Sequence, residues 1–240
     1  MAENKDFCQE ILQVILNNKE LVVLSTNSQF STKNLQGRSC MLDAKCQLED
    51  GRIVNIEVQR ADDDDHQRRV RYNGALLTTN LTNPSTKFTE IPDVIVVFIS
   101  KFDVFKSSKT LYHIDRVIRE TGKAVDNGFE EIYVNAEIDD DSDVARLMNV
   151  FNTDTAYDDD KFPVTSAYKR RYKTTEEGVR EMCEVIERNR AEGRAEGRAE
   201  GRAELIINML KNHMKPEHIA KIANMTVEQI ISIGKKAAVL

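Results

Sequence analysis

The stretch Met41–Gln59, MLDAKCQLEDGRIVNIEVQ, decides the fold. Leu42 to Leu48 alternate apolar and polar, Glu49-Asp50-Gly51 interrupts them, and Ile53 to Gln59 alternate again, which is the pattern of a β-hairpin. Loop length sets its register. A two-residue Asp-Gly turn pairs Asp43 with Val58 and sets the apolar face of one strand against the polar face of the other. A three-residue loop, with Gly51 in the left-handed conformation, removes that conflict. Leu42, Ala44, Cys46 and Leu48 then share a face with Val54, Ile56 and Val58. On the other face Asp43 stands opposite Glu57, with Gln59 two residues along. Directly opposed positions are roughly 5 Å apart at Cβ, so two carboxylates there repel each other unless a cation sits between them.

Outward from the hairpin, the chain reads as an α/β layer. Upstream, Asp6 to Asn17 carries a helical apolar stripe with Asp6 as the expected N-cap, Leu21 to Ser25 reads as a strand, and Thr26 to Arg38 is polar and turn-rich. Downstream, Asp62–Asp65 suits the start of a helix, where negative charge meets the positive end of the dipole. On that helix Arg69, Tyr72 and Asn73 fall on one side at i, i+3 and i+4, and Gly74 weakens the helix without ending it. The run Val94 to Ile99 is apolar without alternation, as in a strand covered on both faces. Thr110 to Glu120 reads as amphipathic or extended, Ile132 to Ala136 as a strand, and Asp143 to Phe151 as a helix. The acidic Asp154–Asp160 stretch reads as an exposed connection ending at Pro163.

A length of 240 residues allows one substantial core and a small appendage. A net charge of −6 argues against coating nucleic acid through a large basic surface and leaves a local basic groove open. Cys8, Cys40, Cys46 and Cys183 show neither CxxC spacing nor a nearby His at zinc-ligand spacing, so reduced, buried thiols are expected. With no apolar run approaching about 18 residues and no signal-peptide core, the expected compartment is the cytoplasm, with no membrane partner.

Asp43, followed after thirteen residues by Glu57-Val58-Gln59 in a βββαβ context, resembles the PD-(D/E)XK nuclease superfamily. More narrowly, Glu57-Val58-Gln59, the Arg69-Val70-Arg71-Tyr72 helix and the PDVIVVFIS strand resemble the PD-(D/E)XK nuclease family transposases, which include recombination-promoting nucleases. The resemblance covers roughly residues 5 to 150 and implies a restriction-endonuclease-like αβββαβ core, a mixed sheet flanked by helices, with a helical C-terminal tail. It also implies a metal-dependent DNA endonuclease acting in recombination or transposition.

Phosphodiester hydrolysis calls for a divalent ion that stabilises transition-state charge and lowers the pKa of the attacking water. Mg²⁺, or Mn²⁺ in its place, suits a pair of carboxylates and retained waters. Asp43 and Glu57 supply that pair, the main-chain carbonyl of Val58 is a third candidate ligand, and the resemblance points to an acid on the first helix, nearest matched by Glu10. Gln59 stands where the superfamily more often has Lys; a neutral amide orients water by hydrogen bonds but brings no charge. Arg69, Arg71 and Tyr72 are the candidates for DNA phosphate. The competing structural reading is a solvated polar hairpin face with ordinary helix-to-sheet packing behind it. Isolated His66 and His113 are assigned structural or surface roles.

The domain plan is thus a nuclease-like domain over 1–152, a connection over 153–173, a charged helix over 174–204 and a small helical module over 205–240. Lys169-Arg170-Arg171-Tyr172-Lys173, within the connection, is either a phosphate-contacting run or a solvated segment. Ala191-Glu192-Gly193-Arg194 opens a four-residue repeat that winds its Ala/Gly stripe slowly around a helix, as a spacer or as a homo-oligomer seam. Leu205 to Asn212, Pro216 to Ala223 and Thr226 to Ile233 have a helix-turn-helix outline, with Gln229 the main base-reading candidate near the start of the last helix. A non-catalytic DNA-binding or oligomerisation protein acting through these helices is therefore the second functional reading, and RNA as the nucleic-acid partner stays open beside DNA.

Overall fold

The computed structural model describes residues 4–32, 40–62, 65–177, 180, 198 and 201–237. They fall in two compact units, Met1–Arg170 and Arg171–Leu240. The first is a mixed sheet flanked by helices. In chain order it contains α1 (Lys5–Ile15), β1 (Val23–Thr32), β2 (Cys40–Leu48), β3 (Ile53–Gln59), α2 (His66–Leu81) and β4 (Val94–Ser100). There follow β5 (Leu111–Ile114), β6 (Arg116–Val117), β7 (Ala124–Val125), β8 (Phe129–Asn135), α3 (Asp143–Asn152) and α4 (Pro163–Thr174). The six-stranded sheet runs β1-β2-β3-β4-β8-β5, and β6 pairs with β7 in a separate two-stranded ribbon. β1, β2 and β3 are antiparallel neighbours, β3, β4 and β8 run parallel, and β5 returns antiparallel to β8.

The hairpin takes the three-residue loop that its apolar pattern demands. The Leu48 N–H donates to the Arg52 carbonyl, and Gly51, at φ +93°, donates its N–H back to Leu48. Ala44 therefore faces Ile56 and Cys46 faces Val54. These four residues, with Leu48, pack under α1 and α3 in one core cluster. One residue departs from the expected face and one stays open on it. Leu42 is fully buried but belongs to the cluster on the opposite side of the sheet, and Val58, on the expected side, is 55% exposed. The β2–β3 ladder ends at Ala44–Ile56. Beyond it Leu42 pairs with Phe30 of β1, whose ring packs into that second cluster.

β4 explains its own unbroken apolar run. Ile95 and Val97 pack on the α1/α3 side, while Val94, Val96 and Phe98 pack on the α2 side. α2 approaches so closely that a Cβ on Gly74 would lie 2.2 Å from the Phe129 ring, so the helix-weakening glycine is required by packing. Asp65 caps α2 by accepting from the Arg68 N–H. At α1 the cap is Asn4, accepting from Phe7 N–H at 3.0 Å, rather than Asp6. β1 runs on to Thr32 through the polar stretch expected to be a loop. As an edge strand it is held by main-chain pairing to β2, for example Asn27 with Lys45, which needs no apolar alternation. Residues 33–38 of that stretch lie outside the described residues.

Within the 153–173 connection the second half is helical, as α4, and the first unit reaches Arg170. Cys8, Cys40 and Cys46 are free thiols, and Cys183 is outside the described residues. Most of the 174–204 helix and repeat also lies outside them.

The second unit is built on helical residues 201–211 (α5), α6 (Pro216–Ala223) and α7 (Val227–Lys236). Ile206, Leu210, Ile219, Ala220 and Ile230 form its core. Asn224, at φ 49°, makes the left-handed turn out of α6, and Thr226 caps α7. Gln229 closes the capping box by accepting from the Thr226 N–H at 3.0 Å, so this candidate base reader is committed to the helix start.

Candidate active site

Three elements converge where β2 parts from β3. One step beyond Ala44–Ile56 the register sets Asp43 across from Glu57. There the side chain replaces the main-chain ladder, since Asp43 Oδ2 accepts from the Val58 N–H at 2.8 Å. Ile53 donates its N–H to Asp93, on the β4 side. By strand alternation the N–H and carbonyl of Val58 both turn toward β2, and so toward Asp43.

The odd positions of β3 face α2. Ile53 enters the core there, Asn55 is fully buried, Glu57 is 8% exposed, and Gln59 is half-buried. A buried polar ladder of this kind needs partners. Asn55 Nδ2 donates to Glu57 Oε1 at 2.8 Å, and the Asn73 side chain, from the facing turn of α2, also hydrogen-bonds the carboxylate. Arg69, one turn earlier, donates from Nη1 to Gln59 Oε1 at 3.0 Å, while Gln59 Nε2 donates to the Ala61 carbonyl.

The electrostatics of the pair are unresolved within the protein. Burial and, after it, the Asp43 charge together raise the pKa of Glu57 to about 7, and the Asn55 hydrogen bond, the Arg69 charge and the Asn73 hydrogen bond only partly oppose them. Asp43 has an exposed surface, yet its carboxyl group is drawn in against Val58, and desolvation raises its pKa too, against the Val58 hydrogen bond and the Arg69 charge. Arg69 is thus the cation that acts on both carboxyl groups. Gln59 brings no charge of its own but holds the side chain that does.

The other sequence candidates fall elsewhere. Tyr72 is half-buried on α2, and Arg71 is exposed. Glu10 is not brought to the pair, because its two carboxylate oxygens accept from the N–H groups of Val164 (3.0 Å) and Thr165 (2.7 Å) and cap α4. The basic run is structural at its start. Lys169 is buried and donates to the carbonyls of Val150, Thr153 and Ala156, and Arg170 pairs with Asp159 at 2.8 Å. His66 is buried between Phe98 and Phe102, with ring centroids at 5.4 and 4.8 Å, and its Nε2 lies 3.2 Å from Asp62. Asn55 and Asn73 are the contributors that motif reading passed over. The signal for Asn55 was its place in an otherwise apolar, buried strand; Asn73 shared a helix face with Arg69.

Among the described residues no three His, Cys, Asp or Glu side chains cluster as a metal site. A carboxylate pair does fit Mg²⁺, which binds through one or two carboxylates and keeps several waters. Two acids at one strand end, Glu57 raised by burial and by Asp43 and Asp43 raised by burial, have the donor set for such an ion. Beside them a cleft of about 310 Å³ opens on the α1/α3 side of the sheet, with Asp43 and Gln59 among its lining residues.

A mixed α/β sheet with an acid on β2 and an Glu-x-Gln strand beside it defines a nuclease fold. A family model described as PD-(D/E)XK nuclease family transposase matches residues 1–148, and the chain belongs to that family. No curated protein and no solved structure matches the chain.

Proposed function

We propose that the first unit is a metal-dependent DNA endonuclease that hydrolyses phosphodiester bonds in recombination or transposition. One observation carries the reading: Asp43 and Glu57 are held together, both with raised pKa values, in a fold that belongs to a nuclease family. Asp43 and Glu57 would hold Mg²⁺ or Mn²⁺, with the Val58 carbonyl as a third ligand. Such an ion supplies Lewis-acid stabilisation of charge and a lowered pKa for a bound water.

The chain's own groups do the rest. Asn55 and Asn73 fix the Glu57 carboxylate so that it does not swing away from Asp43. Burial, and after it the Asp43 charge, favours the protonated form of Glu57, so holding a cation would require that carboxyl group to be deprotonated. Arg69 faces the DNA phosphate and offsets charge that the superfamily's lysine otherwise offsets, with Gln59 positioning it, and Tyr72, half-buried on the same helix, is a further phosphate contact. Arg71, exposed on the same helix, contacts a neighbouring phosphate.

The test is nicking of supercoiled plasmid by the full chain in Mg²⁺ or Mn²⁺. Asp43→Ala is expected to lower the rate by about a hundred- to a thousandfold. Equal nicking by Asp43→Ala overturns the assignment. The self-contained core of the second unit favours a second role as an interaction or oligomerisation module, and the use of Gln229 in the cap weighs against direct base reading by α7.

A further inference from the structure

We infer that the cleft beside Asp43 receives an unpaired nucleobase, so that the substrate class is single-stranded or locally unpaired DNA; this rests on the endonuclease reading above. The cleft encloses about 310 Å³ and its walls include Phe7, Val58, Ile99 and Phe151. That volume lies at the lower end of the roughly 300–1,000 Å³ range of small-ligand sites. Val58 and Phe151 keep 55% and 37% of their surface open, although each borders a well-packed core. Phe151 is braced edge-to-face against Phe7, with ring centroids 5.9 Å apart, and so presents a fixed aromatic surface.

The rim is as informative as the walls. Asp43 borders the cleft on one side, and Arg60 and Lys101, both exposed, border it as well. The Lys101 N–H donates to the Gln59 carbonyl at 3.1 Å, which holds the Lys101 backbone at the strand end next to the acidic pair. An apolar, aromatic hollow flanked by two cations, one residue away from a phosphate-cleaving pair, is complementary to a planar base between two phosphates. An intact duplex cannot fill it. Its bases are paired and stacked, and it presents sugar and phosphate to a protein surface; extruding a base costs a few kcal/mol unless the base is already unpaired.

The experiment uses the full chain in Mn²⁺ with one oligonucleotide sequence offered as single strand and as duplex, each with or without an abasic residue beside the cut. The single strand is expected to be cut at least about tenfold faster in kcat/KM than the duplex, and the abasic residue to lower that rate roughly five- to a hundredfold. Phe151→Ala should lose as much on the intact strand and nothing further on the abasic one, while Phe151→Trp retains the wild-type pattern. Duplex cleaved as fast as single strand, or an abasic effect undiminished in Phe151→Ala, overturns the base pocket and leaves the nuclease assignment standing. If no strand is cut, the nuclease assignment fails, and 2-aminopurine fluorescence judges the cleft separately. Quenching by the wild type that Phe151→Ala lacks supports the pocket, and no quenching overturns it.

Discussion

Two sets of enclosed charges sit on this one domain, and they are treated in opposite ways. At α4, Lys169 is surrounded by three carbonyls and Glu10 by two helix N–H groups, so each charge meets complementary dipoles and nothing is left over. At the end of β2 and β3, Asp43 and Glu57 face each other with one shared arginine, and both pKa values rise. The first arrangement is what a fold does with a charge it needs for cohesion. The second persists at a cost in stability, which is the mark of a group retained for chemistry.

That contrast can be broken by mutation. Lys169→Met removes the donor from three carbonyls and is expected to cost about 3 kcal/mol or more in chemical denaturation, while the folded fraction keeps its metal binding. Glu57→Gln should do the reverse. A carboxyl whose folded-state pKa is raised from 4.5 to about 7 keeps a proton that the unfolded chain has lost, so metal-free stability falls as pH rises from about 4.5 to 7 and is then level. At pH 8 Glu57→Gln is therefore expected to be more stable than wild type by about 1–3 kcal/mol, and at pH 4.5 the two should converge. Equal stability at both pH values would remove the electrostatic conflict. Glu10→Gln keeps one acceptor and loses the charge at the α4 start, for an expected loss of about 1–2 kcal/mol with no change in metal affinity. A change in metal affinity there would return Glu10 to the site.

Much of this is legible in the sequence. The hairpin register follows from matching apolar faces around Gly51, and with it the placing of Asp43 beside Glu57, because strand periodicity is local. The spacing of Arg69, Tyr72 and Asn73 likewise put them on one helix face, from which Arg69 reaches the Gln59 amide, while the role of Asn73 at Glu57 was not read from it. What stayed hidden depends on main-chain groups far away in sequence. Glu10 reads as a free acid until the N–H groups of Val164 and Thr165 arrive, and Lys169 reads as part of a basic surface until carbonyls from the α3 end and its following loop surround it. The polar half of β1 left no apolar alternation to read, since main-chain pairing with β2 carries it along the sheet edge and Phe30 is the residue that packs into the α2-side core.

If Asp43 and Glu57 form a divalent-cation site, titration of the full chain with Mn²⁺ at pH 8, followed by calorimetry, gives saturable binding by the wild type that is lost in Asp43→Ala, which retains its fold. The same binding isotherm for wild type and Asp43→Ala would contradict such a site.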